Sequence, residues 1–552
     1  MKNIDEIKQA VENRVADEQA AATVSAGGSD GGCKGHGGNR TRNNGQGNGG
    51  GNGSGRPGIP DGPDEITPDF LHECLWLNAV GDAMVFAALH RHQFIFNKSA
   101  DSWMYWSGSH WKTDKMGLAR VAVDDVAKTY GDEAMRSRME AAKLVDDDPQ
   151  KESLEKKAKM FSDRAWALRS GPRREMCLSF AHTIVNPMAI TGDEIDKHPW
   201  KLACANGVLN LRTGEMEPGR REDYLFRASP VQWAGIDTPA PVWEKTLGEI
   251  FEDNKSLIDF VQRIFGLALA GESMRSMLVV LAGIGRNGKS TIIETTAEIL
   301  GDLAGSIRSE MLLDQRRTMS SSGPTPDIMA LKGIRYAFAS ETDDGCRIST
   351  SRVKWLTGND TLTGRNPHDK YEINFKPTHT LFLSTNHIPH APADDFAFWE
   401  RVLILPFKVS FVDRMPQGEW ERRSDPTLKK RLRAESAGIL AWLVKGCLLA
   451  QREGIDPPAI VTEAVKDKRR NEDWLADFIE ECCYIDEAAW CGATQIYQVF
   501  ERWWWKNVSK NAPRQKSFGG LMSKRFRREK DGVYKYFGIG LADTEYMDDT
   551  DD

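Results

Sequence analysis

The sequence predicts an α/β protein built around a parallel β-sheet. Three apolar stretches of strand length carry this prediction, at 277–282, 334–340 and 380–385. The first leads into a glycine-rich loop, the second into Glu341 and the third into Asn386. Because strands that alternate with loops and helices usually join one parallel sheet, we expect these three to be near neighbours.

The loop after the first strand has the phosphate-binding pattern G-x-x-x-x-G-K-S. Ile293, Ala297 and Leu300 follow at helical spacing, so the order is strand, loop and helix, as this motif requires. Glycines let backbone N–H groups turn toward phosphates, and the helix N-terminus adds partial positive charge. The pattern predicts ATP and Mg²⁺ as cofactors, with ATP bound by Gly283, Gly285, Arg286, Asn287, Gly288, Lys289, Ser290 and Thr291.

Five side chains are candidates for the chemistry of this site. Lys289 would reach the β- and γ-phosphates, and Ser290 would ligate Mg²⁺. Glu341 can orient the Mg²⁺ shell or activate the attacking water, although an ordinary strand-end glutamate has the same pattern. Asn386 can hydrogen-bond the γ-phosphate or position the water. Arg401, before the apolar run 402–407, fits either an arginine that acts on a neighbouring subunit's ATP or a structural arginine.

The composition is that of a soluble globular protein. The 552 residues predict about three domains, and 40% hydrophobic with 28% charged residues leaves ample core. The net charge of −7 does not itself indicate nucleic acid, so any basic surface must be local. Nine cysteines without a C-x-x-C pair fit a reducing cytoplasm. With no long apolar run and no signal peptide, no membrane role is expected.

The chain divides by composition into five segments. Glycines are concentrated near the N-terminus, where residues 27–62 hold 16 of the 49. An aromatic hairpin at 103–111 and alternating residues at 206–211 indicate strands in the domain that follows. The predicted segments are a short helix with a flexible linker (1–64), an α+β assembly domain (65–235), the nucleotide-binding domain (236–455), a small basic domain (470–543) and an acidic tail (544–552).

Taken together, the motifs resemble those of superfamily 3 helicases. More narrowly, they resemble the helicase portion of phage and plasmid primase-helicases, a family shared with the poxvirus replication ATPase. The resemblance covers roughly 90–545 and includes the family's N-terminal helicase-associated domain. No segment before residue 65 could hold the family's primase domain, so none is expected here. The matching stretches are G-R-N-G-K-S-T (285–291), A-S-E-T (339–342), L-T-G-N-D (356–360), F-K-P (375–377), S-T-N-H-I-P (384–389) and F-W-E-R (398–401).

The resemblance implies an AAA+-type ring, a hexamer, that hydrolyses ATP between subunits. Such a ring would move 3′ to 5′ on single-stranded DNA at forks, in the replication of a phage, prophage or plasmid in a bacterial host. A separate primase or polymerase would be its partner. Many relatives have two adjacent acids where this chain has Ser340-Glu341, so Glu341 is expected as the catalytic base, assisted by Asp343 or Asp344.

The resemblance also implies two DNA-binding regions. A hairpin in the ring pore would present Arg365, His368 and Lys370 to phosphates. The C-terminal domain looks like a winged helix, and residues 506–536 hold ten Lys and Arg against two acids, a net of 10 − 2 = +8. Solvated basic surfaces remain the alternative for both regions. The C-terminal cluster predicted to bind DNA is Lys524, Arg525, Arg527 and Arg528.

Two other functions compete with the helicase interpretation. A DNA-binding assembly protein could use its ATP site only to gate oligomerisation. A small-molecule kinase with a phosphate-binding loop is disfavoured, because the sequence has no visible acceptor site or lid and the basic C-terminal domain would serve no purpose.

Overall fold

The computed structural model describes residues 58–314, 323–340, 345–367, 371–508 and 512–542. Several predicted features lie outside these ranges. They are most of the N-terminal segment 1–64, the tail 544–552, and the side chains of Glu341, Asp343, Asp344, His368 and Lys370.

The N-terminal part combines helices with a small mixed sheet. Helices α3 and α4 are the charged stretch of the sequence, and they pack against each other around Tyr130 and Phe161. The predicted aromatic hairpin is confirmed, since Trp106 pairs with Trp111 across two antiparallel strands. The elements are α1 (Pro68–Trp76), α2 (Ala79–His90), β1 (Phe94–Asn97), β2 (Ser102–Trp106), β3 (Trp111–Thr113), α3 (Leu118–Ala141), α4 (Pro149–Ala167), α5 (Gly171–Ala181), β4 (Ala189–Ile190), β5 (Lys201–Cys204), β6 (Gly207–Asn210) and β7 (Glu215–Glu217).

A buried carboxylate joins three helices of this part. Asp82 on α2 is fully buried, and its two oxygens accept hydrogen bonds from Arg164 on α4 at 2.9 Å and from Arg173 on α5 at 2.7 Å. A buried charge is tolerated only when it is paired in this way. The ion-pair network therefore fixes how these helices are arranged.

The centre of the molecule is a five-stranded parallel sheet. Its order is β14-β8-β13-β10-β9, and every neighbouring pair is parallel. The prediction that the three motif strands belong to one parallel sheet is confirmed. The elements are α6 (Pro241–Ile250), α7 (Lys255–Leu267), β8 (Leu278–Ala282), α8 (Lys289–Leu300), β9 (Ala304–Ser306), α9 (Pro326–Met329), β10 (Tyr336–Ser340), α10 (Thr350–Thr357), β11 (Leu362–Gly364), β12 (Ile373–Phe375), β13 (Thr380–Thr385), α11 (Phe396–Trp399), β14 (Val402–Pro406), β15 (Ser410–Val412), β16 (Glu421–Arg423), α12 (Leu428–Ala434), α13 (Ser436–Glu453) and α14 (Ala459–Asn471).

Both faces of this sheet are covered, which explains the continuous apolar character of its strands. Along β8, Val279 and Leu281 enter one core, whereas Leu278 and Val280 enter the other. The first core is completed by α6, α7 and α13, and it extends back to Leu202 on β5.

Arg335, just before β10, ties the central sheet to the segment that precedes it. The side chain is buried, and its guanidinium donates to the carbonyls of Leu269 at 2.7 Å and Lys201 at 2.8 Å. Burial lowers the pKa of Arg335 to about 10, and the nearby Asp196 carboxylate opposes that change. Because β10 leads toward the nucleotide cleft, this contact helps to fix the edge of the cleft.

The C-terminal part has three helices and a three-stranded antiparallel sheet of order β18-β20-β19. Its core is aromatic, with Phe478, Phe500 and Phe518 fully buried. Trp503 is also buried. The elements are α15 (Trp474–Cys482), β17 (Cys483–Tyr484), β18 (Trp490–Gly492), α16 (Ala493–Asn507), α17 (Gln515–Arg525), β19 (Arg527–Asp531), β20 (Val533–Phe537) and β21 (Gly540–Leu541).

Across the described ranges, none of the helices combines the length and the apolar character needed to cross a membrane.

Candidate functional site

The glycine-rich loop leaves β8 at the carboxyl edge of the sheet and enters α8. Gly285, Arg286 and Gly288 all adopt positive φ, at 108°, 51° and 87°. This backbone turns the loop into a cradle that glycine accommodates most readily. Helix α8 begins at Lys289 without a side-chain cap on its N-terminal amides, which leaves its first N–H groups to an anionic ligand.

The Lys289 ammonium lies inside this cradle. Its residue is 7% exposed, and Nζ donates to the Gly283 carbonyl at 2.6 Å and to Asn386 Oδ1 at 2.9 Å. Burial lowers the pKa of Lys289 below its ordinary value. A bound phosphate would counter this effect because it places negative charge beside the ammonium.

Asn386 reaches the loop because its strand lies directly beside β8. The register pairs Thr385 with Ala282, so Asn386 follows one strand where Gly283 follows the other. On its other side β13 pairs with β10, and Ser340 is opposite Ser384. The structure therefore brings Lys289, Asn386 and the end of β10 to one edge of the sheet. Glu341, the residue after Ser340, lies outside the described residues.

The same edge forms a cleft of about 380 Å³ beside the loop. Its polar lining includes Ser290 and Thr291, which were predicted to bind ATP, and Ser384 near the end of β13. Part of its wall was missed by sequence reasoning, because it comes from distant segments with no phosphate-binding pattern. The unpredicted lining residues are Thr246, Ile250, Phe411, Ser424, Asp425 and Leu428.

The segment after β14 makes hydrogen bonds to the phosphate loop. The Phe411 backbone N–H donates to the Arg286 carbonyl at 2.7 Å, and Asn287 Nδ2 donates to the Val409 carbonyl at 2.9 Å. Arg286 also pairs with Asp413 at 3.1 Å. Asn287 is therefore a support for the loop, and Phe411 places an aromatic ring at the rim of the cleft.

Arg401 lies at the opposite edge of the sheet. The parallel register pairs Val402 with Leu278 and Pro406 with Ala282. Arg401, just before β14, therefore lies at the amino ends of these strands, whereas the phosphate loop follows β8 at their carboxyl ends. A full strand, about 16 Å, separates the two positions. The Arg401 guanidinium donates to the Ala397 carbonyl, and within the described part of the chain its buried Nε has no hydrogen-bond partner.

The structure contains the predicted β-hairpin, formed by β11 and β12. These strands pair antiparallel, from Leu362 with Phe375 to Gly364 with Ile373. Arg365 stands at the base of its turn, where its backbone N–H donates to Thr325 Oγ1 at 3.0 Å. Tyr371, on the far side of the turn, is 80% exposed. His368 and Lys370 lie outside the described residues.

The C-terminal basic cluster is divided between two environments. Lys524 Nζ pairs with Asp394 at 2.5 Å, and an Arg525 Nη pairs with Asp473 at 2.6 Å. Asp394 belongs to the segment between Asn386 and Arg401, so these two basic residues pair with carboxylates, while the Lys524 side chain stays 64% exposed. Arg527 and Arg528 instead lie on the β19–β20 hairpin, above the rings of Phe537 and Tyr534.

In the described part of the chain, no group of three or more His, Cys, Asp or Glu side chains could hold a metal ion alone. Near the loop, Ser290 and Asp425 are among the oxygen donors that line the cleft. A small number of protein ligands is enough for Mg²⁺ at a triphosphate site, because waters and phosphate oxygens supply the rest of its coordination.

The parallel sheet and the phosphate-loop cleft together define an α/β ATPase-like core. Comparison with known proteins extends this assignment. A family model described as D5 N terminal like matches residues 83–252. The chain is 25% identical over 344 residues to "Putative helicase L207/L206" of Acanthamoeba polyphaga mimivirus, covering 60% of this chain and 36% of that protein.

Two further viral relatives match the same chain. "Putative helicase 022R" of Frog virus 3 is 23% identical over 58% of this chain and 40% of its own length. Uncoating factor OPG117 of Vaccinia virus is 25% identical over 41% of this chain and 30% of its own length. The chain thus spans well under half the length of these relatives. The solved apo structure of the NrS-1 C terminal region (305–718) overlaps 59% of this chain and 87% of that one, with a TM-score of 0.35 and 11% identity.

These matches confirm the family that the motifs indicated. The D5 N terminal like match and the viral putative helicases support the resemblance to superfamily 3 helicases of the D5-like kind.

Proposed function

We propose that this protein is an ATP-dependent DNA helicase that acts as a ring in the replication of viral or mobile DNA. The observation that carries the proposal is the position of Arg401, a strand length away from the phosphate loop of its own subunit. An arginine that cannot reach its own nucleotide can complete a neighbour's site. This geometry supports a ring of the AAA+ type, with a hexamer as the expected assembly.

Within one subunit, the predicted site residues would divide the work on ATP. The loop amides and Lys289 bind and orient the phosphates, and Asn386 positions the γ-phosphate or the attacking water. Ser290 and Glu341 would hold Mg²⁺, which neutralises phosphate charge when it is bound. Glu341 would also take the proton from the attacking water.

The DNA contacts are proposed at two places. Arg365, His368 and Lys370 on the β11–β12 hairpin would follow the strand through the pore. The C-terminal part, proposed as a winged helix, would add Lys524, Arg525, Arg527 and Arg528. Movement 3′ to 5′ on single-stranded DNA is the polarity expected of the family.

The domain limits and partners are proposed as the sequence indicates them. Residues 65–235 would be the helicase-associated domain, 236–455 the ATPase domain and 470–543 the winged helix. A separate primase or polymerase would use the unwound strands as templates. The relatives reported above come from viruses of eukaryotes. They support the replicon of such a virus at least as well as that of a phage or plasmid.

Unwinding of a forked duplex tests this proposal directly. The wild-type protein should separate the strands with ATP, and Lys289→Ala should not. Unwinding by Lys289→Ala would contradict the helicase assignment. ATP turnover that does not respond to single-stranded DNA would favour the alternative, a DNA-binding assembly protein whose ATP site gates oligomerisation.

A further inference from the structure

The β18-β20-β19 sheet presents an outward face on which aromatic and basic side chains alternate. Cross-strand register places Trp490 and Arg527 opposite Phe537, and Lys535 follows on the same side of β20. We call Trp490, Arg527, Lys535 and Phe537 the wing face. The opposite side of the sheet carries Tyr536, which is buried in the core of the C-terminal part.

The wing face is accessible, and its charges lie against its rings. Trp490 is 54% exposed although an indole normally loses most of its surface on folding. Lys535 Nζ lies 4.3 Å from the centre of the Trp490 ring, and the Arg527 guanidinium lies 5.6 Å from that of Phe537. Glu529 shares this face and accepts a hydrogen bond from Arg527 Nε at 2.7 Å.

The surroundings favour a polyanionic ligand. Residues 512–542 contain eight Lys and Arg against two acids, a net of 8 − 2 = +6 in a chain whose net charge is −7. Of the predicted DNA-binding cluster, Lys524 and Arg525 are engaged with Asp394 and Asp473. Arg527 and Arg528, on the β19–β20 hairpin, lie instead against the rings of Phe537 and Tyr534.

We propose that the wing face binds single-stranded DNA by stacking, with a base against Trp490 and the adjacent phosphates on Lys535 and Arg527. This proposal rests on the proposed helicase function and adds base stacking to the phosphate contacts assigned there. An exposed ring beside cations suits unstacked bases, because every base has an aromatic face and every linkage has a charge. A duplex would satisfy the cations but would keep its bases away from the indole.

The experiment compares two oligonucleotides of equal length and charge, one of thymidine and one abasic. Fluorescence anisotropy with the full-length protein should show about tenfold tighter binding of the thymidine strand, since one stacked base contributes that order of affinity. Trp490→Ala should lose this preference, and Trp490→Phe should keep most of it. Trp166→Ala is the control, because Trp166 is also exposed, on α4, far along the chain from the basic region.

A direct measurement accompanies the affinities. A thymidine strand that carries 5-iodouracil should photo-cross-link to Trp490 in the wild-type protein. Wild-type affinity of Trp490→Ala for the thymidine strand, together with no cross-link at Trp490, would overturn the stacking proposal and leave the helicase proposal standing. Failure of the wild-type protein to bind either strand would overturn both. If Trp490→Ala lost binding to a protein partner but kept wild-type DNA binding, the wing face would be reassigned to protein contacts. That result would also overturn the proposal.

Discussion

Lys289 and Asn386 are joined by a hydrogen bond of 2.9 Å across two neighbouring strands, from the ammonium Nζ to the amide Oδ1. The amide thereby holds the ammonium toward the mouth of the cradle. Because Lys289 Nζ also donates to the Gly283 carbonyl at 2.6 Å and to Asn287 Oδ1 at 3.3 Å, the lysine is positioned by the sheet and by the loop together. This contact therefore links the phosphate loop to the end of β13.

This relationship predicts the effect of removing the amide. Asn386→Ala should lower the rate of ATP turnover by about a hundredfold, the usual order for the loss of one positioned polar group. The affinity for ATP should change little, because the loop amides and Lys289 remain. Turnover and nucleotide binding would be measured separately, with Asn471→Ala on the exposed end of α14 as the control. A large loss of affinity with unchanged turnover would assign Asn386 to binding alone.

The Lys524–Asp394 pair predicts a gain of DNA binding. Asp394→Ala should free Lys524 for a phosphate, so the affinity for single-stranded DNA should rise severalfold. The slope of affinity against salt should steepen by up to about one unit, the value of one additional phosphate contact. Anisotropy titrations at several salt concentrations measure both quantities, and Asp147→Ala on the N-terminal part serves as the control. Unchanged affinity and slope would mean that Lys524 has no access to DNA.

His379 predicts a loss of stability in acid. It is buried before β13, Nε2 donates to the Leu356 carbonyl at 3.1 Å, and burial lowers its pKa to about 4. In the unfolded chain, His379 takes up a proton near pH 6.5, whereas in the folded protein it does so only near pH 4. The contribution of neutral His379 to the free energy of unfolding is therefore complete above pH 6.5 and is lost as the pH falls toward 4. Between pH 7 and pH 5 the loss should be about 2 kcal/mol.

Chemical denaturation of the wild-type protein and of His379→Gln over this range isolates the effect. The glutamine keeps a donor for Leu356 but does not titrate, so only the wild-type protein should lose this free energy. Parallel curves for the two proteins would show that His379 does not contribute to the acid dependence.

Local patterns in the sequence were enough to predict the sheet and the loop. The apolar strands and the order glycine loop, Glu341, Asn386 follow from short stretches whose chemistry requires that arrangement. The prediction placed Asn386 beside the loop only as a neighbour, and the register supplies its contact with Lys289. Here the sequence and the fold agree because each motif lies at the end of a buried strand.

Contacts between distant segments could not be predicted in the same way. Phe411 reaches the loop through backbone hydrogen bonds, which leave no residue signature. Lys524 and Arg525 have the same sequence pattern whether they face solvent, DNA or carboxylates, so their pairing with Asp394 and Asp473 emerges only from the fold. Charge clusters indicate a surface, and the tertiary structure decides what that surface faces.

The central claim is that Lys289 of one subunit works with Arg401 of the next. Lys289→Ala and Arg401→Ala should each lower ATP turnover by at least about a hundredfold when assembled alone. Mixed in equal amounts and reassembled, they should recover about a quarter of wild-type turnover, because random mixing in a ring leaves that share of the interfaces with both residues intact. Confirmed co-assembly without any recovery, or normal turnover by Arg401→Ala alone, would contradict the account.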